Sequence, residues 1–338
     1  MRVLYGVQAT GNGHITRARV LAPALAARGI EVDYLFSGRP ADELFDMELF
    51  GRYQVRRGLT FHMGEGAKVK VVDTVLKNSV WQLAVDIKAL NVTDYDLILT
   101  DFEPITAWAA KLRKVKSVGI AHQYSFLYPL PDGKKSKRIK AGVNLFAPVD
   151  TAVGVHWHHF DAPIAPPLIA PPQFRAESGK DLILVYMPYE SNDALYYWFS
   201  GFPDYHFHVY TKVEKAFTRG NVEFRPLSRQ RFEYDLACCD GVITNCGFGL
   251  SSEALQYGKK ILAQPMKGQA EQQSNAAILQ EKGWATVIEG LNQEILASWL
   301  DAPLPEAVVY PNVAEYLADW VAGGCKESPE LLARSMWS

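Results

Sequence analysis

The chain has 338 residues, of which 48% are hydrophobic, and this is enough apolar material for two ordinary cores. Lys and Arg number 35 against 37 Asp and Glu, so no net field holds the chain on nucleic acid or on an anionic membrane. The four cysteines fit neither a zinc knuckle nor a secreted disulfide framework, and no leader-like start or apolar run of about 18 residues is present, so we expect a cytoplasmic protein that does not span a membrane.

The first half of the chain alternates short apolar runs with helical patterns. A strand, VLYGV, leads into a helix from about Ile15 to Arg28, and the later runs are EVDYLF, DLILT, ITAWAAKLRK, VKSVGIA and DTAVGV. This order predicts βαβ units and a parallel sheet. Five prolines between Pro163 and Arg175 disfavour a helix or a central strand, so this segment is predicted to be an extended connector.

The second half restarts the same alternation with DLILVYM, YHFHVYT, VEFRPL, GVIT and KILAQP, separated by predicted helices, among them one near Arg229 to Ala237 and one after Phe248. The fold class is therefore α/β, with two Rossmann-like, doubly wound domains facing a central cleft. Ligands are expected in that cleft, at the carboxyl ends of the strands. The predicted boundaries are a first domain at 1–162, a linker at 163–175, a second domain at 176–310, and C-terminal helices at 311–338 that return toward the first domain.

The strongest polar constellation lies between Asn245 and Ala276. Gly247 and Gly249 let the backbone approach a ligand closely. Ser251 and Ser252 are predicted to lie in the first turn of the next helix, whose N-terminus favours an anion such as a diphosphate. The alternative is a plain N-capped helix without a ligand.

Two further features of this segment suit a nucleotide and a sugar. Glu253 can accept hydrogen bonds from both hydroxyls of a ribose, or it is a solvated helix glutamate. After KILAQP a polar loop runs into a helix, and its amides and carboxylate suit sugar hydroxyls. These loop residues are Gly268, Gln269, Glu271, Gln272, Gln273 and Asn275.

The segment resembles the donor-site signature of GT-B-fold glycosyltransferases, both the N-acetylglucosaminyltransferase that makes lipid II and the UDP-glucuronosyltransferase superfamily. The matching positions are Gly247, Glu253, Gly258, Pro265, Glu271, Gln272, Asn275 and Ala276. The resemblance implies that Glu253 holds the ribose, that residues 247–252 hold the diphosphate, and that Glu271 with Gln272 holds the donor sugar. Plant-type members carry His in place of Asn245 and Asp in place of Glu271, so the donor stays open.

A second glycine-rich turn, with Gly6, Gly11 and Gly13, joins the first strand to the first helix. A P-loop would need Lys and Ser or Thr after its second glycine, and a dinucleotide fingerprint would need a third glycine near position 17 or 18. Neither condition is met, which disfavours an ATPase or an NAD enzyme. In the GT-B enzymes a similar turn with a His at the helix start faces the acceptor and the donor phosphates, and GNGHITRA resembles it. Asn12 and Arg17 are weaker candidate contacts there.

These comparisons give a full set of candidate donor-binding residues. They are Gly11, Asn12, Gly13, Asn245, Gly247, Phe248, Gly249, Leu250, Ser251, Ser252, Glu253, Gln269, Glu271, Gln272 and Asn275.

Three residues are catalytic candidates: His14, Asp101 and Glu103. A neutral His14 can accept the proton of an acceptor hydroxyl, a charged His14 can steady the diphosphate, and a structural histidine is the alternative. Asp101 and Glu103 follow the strand DLILT and precede Pro104. One of them is expected to cap the next helix, and the other to orient His14 or to act as the base.

Two weaker signals complete the sequence. A basic run between aromatic and apolar residues is either a solvated loop or a peripheral contact with an anionic membrane, through Lys134, Lys135, Lys137, Arg138 and Lys140. The cluster His156, His158 and His159 does not share one strand face, so no metal site is expected.

The sequence therefore predicts an inverting, metal-independent glycosyltransferase that needs no cofactor beyond its nucleotide-sugar co-substrate. The donor is expected to be a nucleotide diphosphate sugar, with UDP favoured, bound by the second domain. The first domain is expected to bind a hydroxyl acceptor, and the basic run favours a lipid-linked or cell-envelope acceptor at the inner membrane face. The alternatives are a nucleotide-sugar epimerase or hydrolase and a non-catalytic nucleotide-sugar-binding protein.

Overall fold

The computed structural model describes residues 1–59, 80–131 and 137–338, and at 137 and 138 it describes the backbone alone. The chain divides into two compact units. The first contains the described residues up to Ala170 together with Tyr310–Ser338, and the second is Pro171–Val309. Each unit is built on a sheet that has seven strands in the described part of the chain.

The sheet of the first unit is parallel throughout and has the order β3-β2-β1-β4-β5-β6-β7. Its strands are β1 Arg2–Gln8, β2 Glu31–Ser37, β3 Tyr53–Arg56, β4 Leu97–Asp101, β5 Ser117–Ala121, β6 Thr151–Val155 and β7 Ile164–Ala165. The helices that accompany it are α1 Asn12–Ala27, α2 Val80–Ala89, α3 Pro104–Arg113 and α4 Lys137–Phe146. Strands β4 and β5 are buried at every position, because helices cover both faces of a parallel sheet.

Helix α3 packs directly on the central strand β1. A Cβ placed at Gly6 of β1 would come within 2.0 Å of Thr106 Oγ1 on α3, so only glycine permits this close approach. The helix starts at Pro104, whose missing N–H costs nothing at the first helical position. It ends at Lys114, which adopts the left-handed conformation with φ 57°.

The second sheet has the order β10-β11-β9-β8-β12-β13-β14, and all of its pairs are parallel except β10 with β11. Its strands are β8 Leu182–Tyr186, β9 His206–Tyr210, β10 Phe217–Arg219, β11 Val222–Arg225, β12 Gly241–Thr244, β13 Lys260–Ala263 and β14 Thr286–Val287. Its helices are α5 Asn192–Phe199, α6 Arg229–Cys238, α7 Phe248–Gln256, α8 Ala270–Glu281 and α9 Gln293–Leu300.

The two sheets share a topology that fixes where ligands are expected. In the first sheet β1 lies between β2 and β4, and in the second β8 lies between β9 and β12. The strand order reverses at both places, and in doubly wound sheets ligands bind outside the carboxyl ends of the strands at such a point. Ligands are therefore expected beside the segments that follow β1 and β4 in the first unit and β12 in the second.

Two C-terminal helices, α10 Val313–Ala322 and α11 Pro329–Trp337, belong to the first unit. Arg28 Nε, at the end of α1, donates to Asp319 Oδ1 at 2.7 Å. Trp337 Nε1 donates to the carbonyl of Ile164 in β7 at 2.7 Å. These bonds tie the last segment of the chain to the end of α1 and to β7 of the first unit.

The proline-rich segment differs in part from the predicted connector. Residues Ile164–Ala165 form β7, which pairs with β6 at the edge of the first sheet. An edge strand tolerates the flanking Pro163 and Pro166, because their missing N–H groups are not required by a second neighbour. The division between the units falls between Ala170 and Pro171, inside the predicted linker. None of the helices in the described ranges is both long enough and apolar enough to cross a bilayer.

Candidate functional site

In the first unit, the turn after β1 and the turn after β4 bring three candidate side chains together. His14 Nδ1 lies 2.7 Å from Asp101 Oδ1. Arg17, one turn further along α1, donates from Nε to Asp101 Oδ2 at 2.8 Å and from Nη2 to Oδ1 at 2.6 Å. The structure thus joins two of the predicted catalytic residues and adds an arginine to them.

This group of three is almost entirely withdrawn from water. Asp101 is 0% exposed and Arg17 is 5% exposed, whereas the side chain of His14 keeps 13% of its surface accessible. Burial by itself would raise the pKa of the Asp101 carboxyl, but Arg17 and His14 outweigh it and hold that pKa below its ordinary value. Asp101 is therefore an anion, and His14 is the member of the group that reaches the surface.

Glu103 has a different position from the one expected of a catalytic residue. Its carboxylate accepts from the amides of Ile105 and Thr106 and from the hydroxyls of Ser37 and Thr106, at 2.7–2.9 Å. It is the N-cap of α3 and is 0% exposed. The capping alternative therefore applies to Glu103, and the partner of His14 is Asp101.

The glycine-rich turn of the first unit opens α1. Gly11 is the N-cap residue, and Gly11 and Gly13 are both exposed. Asn12 Oδ1 accepts from Arg39 Nη1 at 2.9 Å, so a second arginine stands beside the turn at the end of β2. The first-turn amides of α1 and the nearby Arg39 side chain make this edge of the sheet favourable for an anion.

In the second unit, a short turn joins β12 to α7. Cys246 is buried and has φ 60°, and Gly247 is the N-cap of α7. In the first unit the corresponding residue after β4 is Phe102, with φ 54°. A non-glycine residue in the left-handed region costs of order 1–3 kcal/mol and is concentrated at functional sites. In both turns a left-handed residue therefore comes directly before the N-cap of the next helix.

The position of α7 corrects the expected roles of two serines. The helix starts at Phe248, so Ser251 and Ser252 lie in its second turn rather than in its first. Ser251 N donates to the carbonyl of Gly247, and Ser252 Oγ donates to that of Phe248 at 2.7 Å. Both serines are 0% exposed. An anion at this helix start would therefore meet backbone amides such as those of Gly249 and Leu250.

Two asparagines of the predicted donor set hold the β12–α7 turn in place. Asn245 Nδ2 donates to the carbonyl of Gln264 at 3.1 Å, and Asn275 Nδ2 donates to that of Cys246 at 3.0 Å. Asn275 is 0% exposed and Asn245 is 5% exposed. We therefore interpret both as residues that shape the donor site rather than as direct contacts to a sugar.

Glu253 is partly buried on α7, seven residues after Cys246. Burial raises the pKa of its carboxyl to about 7, repulsion from Glu233 adds to this, and Arg229 acts against it. A carboxyl that is poorly solvated in the free protein gains most from a ligand that brings hydrogen-bond donors. The two hydroxyls of a ribose are such donors.

The polar loop before α8 is organised by its own amides. Gln269 is the N-cap of α8 and accepts from the amide of Gln272, and Gln272 Oε1 in turn accepts from the amide of Met266 at 2.9 Å. Glu271 lies in the first turn of α8 and is partly exposed. Glu271, Gln269 and Gln273 are all partly exposed, whereas Gln272 is buried, and Gln269 and Gln272 fix the loop.

In the first unit, two residues near the His14–Asp101 contact were missed or given little weight in the sequence. Arg17 was only a minor candidate, although its i, i+3 spacing from His14 places both on one face of α1. Phe102 was not considered, because no pattern in a single sequence marks a left-handed phenylalanine. The spacing of His14 and Arg17 was the available signal.

The two weaker candidates from the sequence are the basic run and the histidine cluster, and the structure describes only part of the basic run. Lys134 and Lys135 lie outside the described residues, as do the side chains of Lys137 and Arg138, and Lys140 is exposed on α4. His156 is buried, and its Nδ1 accepts from the amide of Trp157 at 2.8 Å. Within the described residues, no group of three or more His, Cys, Asp or Glu side chains is placed to hold a metal ion.

Comparison with known proteins decides the family. Residues 1–305 match the family model described as Glycosyl transferase family 1. The chain belongs to glycosyl transferase family 1. An uncharacterized glycosyltransferase of Methanosarcina mazei is 35% identical to this family member over 91 residues, an alignment that covers 27% of this chain and 23% of that relative.

Solved structures agree with the fold of this family member. The glycosyltransferase of kitacinnamycin has a TM-score of 0.60 at 15% identity, with 99% of this chain and 95% of that chain covered. LpCGTa, solved in complex with UDP, has a TM-score of 0.58 at 14% identity, with 99% and 97% covered. The predicted α/β class with two Rossmann-like domains of the GT-B type is confirmed.

Proposed function

We propose that this protein transfers a sugar from a nucleotide diphosphate sugar to an acceptor hydroxyl, with His14 as the general base. The observation that carries the proposal is the contact of His14 Nδ1 with the buried Asp101 carboxylate, at 2.7 Å. An ionised carboxylate can only accept, so it favours a proton on Nδ1 and leaves the lone pair of His14 on Nε2. A neutral imidazole held in this way is suited to remove a proton from a hydroxyl.

The proposed step is a direct displacement. The acceptor oxygen forms a bond to the anomeric carbon as its proton passes to His14 Nε2, and the bond from that carbon to the diphosphate oxygen breaks. The nucleoside diphosphate leaves with the electron pair, and the configuration at the anomeric carbon inverts. The proposal is supported by the presence of one positioned base, as a single displacement requires one proton acceptor.

The second unit is proposed to bind the donor. Backbone amides at the start of α7 would face the diphosphate and stabilise the charge that it gains as it leaves, which is the basis for proposing that no metal is needed. Glu253 would accept from the ribose hydroxyls, and Glu271 from the sugar. UDP is proposed as the nucleotide, with support from the UDP complex of LpCGTa.

The class of acceptor is proposed from the basic run and from the exposed side of α4. The basic run and the exposed Lys140 and Leu145 of α4 favour an acceptor presented at an anionic surface, such as a lipid-linked one. Sedimentation with vesicles of anionic and of neutral lipid tests this part. Equal binding to both, or binding to neither, would remove the support for a lipid-linked acceptor.

The test of the main proposal is a panel of uridine, thymidine, guanosine and cytidine diphosphate sugars, assayed by calorimetry and by product analysis, with His14→Ala beside the wild type. Binding of one nucleotide by both proteins, with transfer by the wild type alone, is the expected result. Free sugar formed without an acceptor would point to a hydrolase. Tight binding without turnover on any acceptor would point to a non-catalytic binding protein.

A further inference from the structure

We propose that Arg17 is a positioning residue of the His14–Asp101 pair, which holds the Asp101 carboxylate so that the proton of the neutral His14 ring lies on Nδ1. This inference rests on the proposed role of His14 as the base. Arg17 contacts neither the acceptor nor the donor in this proposal. It acts through Asp101.

The argument starts from a triangle of three polar atoms. Arg17 Nη2 lies 2.6 Å from Asp101 Oδ1 and 2.8 Å from His14 Nδ1, and Nδ1 lies 2.7 Å from Oδ1. A guanidinium can only donate, and an ionised carboxylate can only accept. Oδ1 therefore accepts from both nitrogens, which places the proton of the neutral imidazole on Nδ1 and its lone pair on Nε2. Nη2 and Nδ1 are then two donors to the same oxygen, in contact without a hydrogen bond between them.

Arg17 also holds the carboxylate at a second point. Its Nε donates to Asp101 Oδ2 at 2.8 Å, so the guanidinium and the carboxylate are joined by two bonds. Two-point contacts of this kind fix orientation as well as distance. Because Arg17 and His14 lie on successive turns of α1, the same helix presents both the ring and the group that orients its partner.

The charges around the triangle balance. Arg17 carries one positive charge and the ionised Asp101 carries one negative charge, and their two bonds are 2.6 Å and 2.8 Å long. The neutral ring therefore contacts a carboxylate whose charge is already compensated.

The other titratable groups near the triangle do not change this balance. Tyr5 on β1 and Tyr124, in the short 3-10 helix His122–Leu127, face the Asp101 charge. Burial raises the pKa of both phenols well above its ordinary value, and so both are neutral. Glu103 is committed to Ser37 and to the start of α3. Arg17 is thus the group that opposes the Asp101 charge at the ring.

The matched pair of variants is Arg17→Met and Arg19→Met. Arg19 lies on the same helix and is equally buried, at 5% exposed, but it donates to the carbonyls of Phe45 and Asp46. Both variants lose a buried guanidinium, and only the first loses one beside Asp101. A purely structural role would make the two variants alike.

The measurement is nitrogen-15 NMR of histidine-labelled protein at alkaline pH, with the His14 signals assigned by their loss in His14→Ala. We expect the Nδ1–H form in the wild type and a mixture of the Nδ1–H and Nε2–H forms in Arg17→Met, because the carboxylate is no longer held at two points. Arg19→Met should show the same form as the wild type. Transfer by Arg17→Met should fall about tenfold, because the lone pair is then only part of the time on Nε2.

Arg17→Lys keeps the charge and loses the two-point contact, so its Nδ1–H fraction should lie between those of the wild type and Arg17→Met, and it serves if Arg17→Met does not fold. An Nε2–H ring in the wild type, or an unchanged Nδ1–H fraction in both Arg17 variants, would overturn the proposal. These NMR readings need no turnover. A protein that transfers no sugar would therefore refute the proposed function and still leave the role of Arg17 decided.

Discussion

Asp101 and Glu103 are two residues apart at the end of β4, and their carboxylates bond to different parts of the first unit. Asp101 bonds to His14 and Arg17 on α1, whereas Glu103 bonds to Ser37 of β2 and to the first turn of α3. The left-handed Phe102 between them separates the two carboxylates by its change of chain direction. One strand end thereby supplies a group for the proposed chemistry and a group for the fold.

This separation predicts opposite outcomes for two isosteric variants. Asp101→Asn should lower kcat by about 10²–10⁴, because the amide no longer selects the Nδ1–H ring. Glu103→Gln should leave kcat of the folded protein near the wild-type value and lower the free energy of unfolding by roughly 1–3 kcal/mol, through lost capping bonds. Urea unfolding and initial rates measure the two effects. Loss of transfer by a fully folded Glu103→Gln protein would return Glu103 to the catalytic candidates.

Removal of the proposed base should affect catalysis without affecting the donor. His14→Ala is expected to lower kcat by about 10²–10⁴ and to leave the Kd of the nucleotide within about threefold, because Glu253 and the α7 amides that are proposed to hold the nucleotide belong to the second unit. His206→Ala, at an exposed histidine of β9, is the control. If His14→Ala binds the nucleotide far more weakly than His206→Ala does, His14 has a role in donor binding instead.

The proposed ribose contact predicts a loss of nucleotide affinity. Glu253→Gln should raise the Kd of the nucleoside diphosphate about tenfold or more, since a hydrogen bond to a charged group contributes about 1.5–3 kcal/mol. Glu233→Gln changes a neighbouring carboxylate that repels Glu253 and is the matched control. Calorimetry with the diphosphate and with its 2′,3′-dideoxy analogue completes the test. Equal affinities of wild type and Glu253→Gln would place the ribose elsewhere.

The raised pKa of Glu253 predicts a pH-dependent cost in the free protein. The pKa rises from 4.5 to about 7 on folding, so the folded state holds the proton more tightly and stability is lost as pH rises through this interval. Below about pH 4.5 both states are protonated and Glu253→Gln should have little effect on unfolding. Above about pH 7.5 the variant should be more stable by roughly 1–3 kcal/mol.

Urea unfolding of the unliganded protein at pH 5 and at pH 8 measures this difference. A stability gain that is equal at both pH values would show that Glu253 is not the titrating group. A saturating nucleotide should reduce the gain at pH 8, because the ribose hydroxyls would then satisfy the carboxylate in the wild type.

Much of the fold was present in the sequence because its signals are local. The helices predicted near Arg229 to Ala237 and after Phe248 appear as Arg229–Cys238 and Phe248–Gln256, and the strand GVIT appears as Gly241–Thr244. Apolar runs of strand length, glycine turns and helical periodicity act over a few residues, so one sequence is sufficient to read them. The pairing of these strands in two doubly wound sheets followed from their alternation with helices.

Less of the candidate site than of the fold could be predicted from the sequence. The sequence by itself determined that His14, the carboxylates after β4 and the Asn245–Ala276 segment stand at strand ends, because chain order places them there. Only the tertiary structure decided that Asp101 rather than Glu103 meets His14, that Arg17 joins them, and that the side chains of Ser252 and Asn275 hold the turn by hydrogen bonds to its carbonyls. Direction at a strand end depends on one backbone dihedral and on burial by distant segments, and neither is encoded in a local pattern.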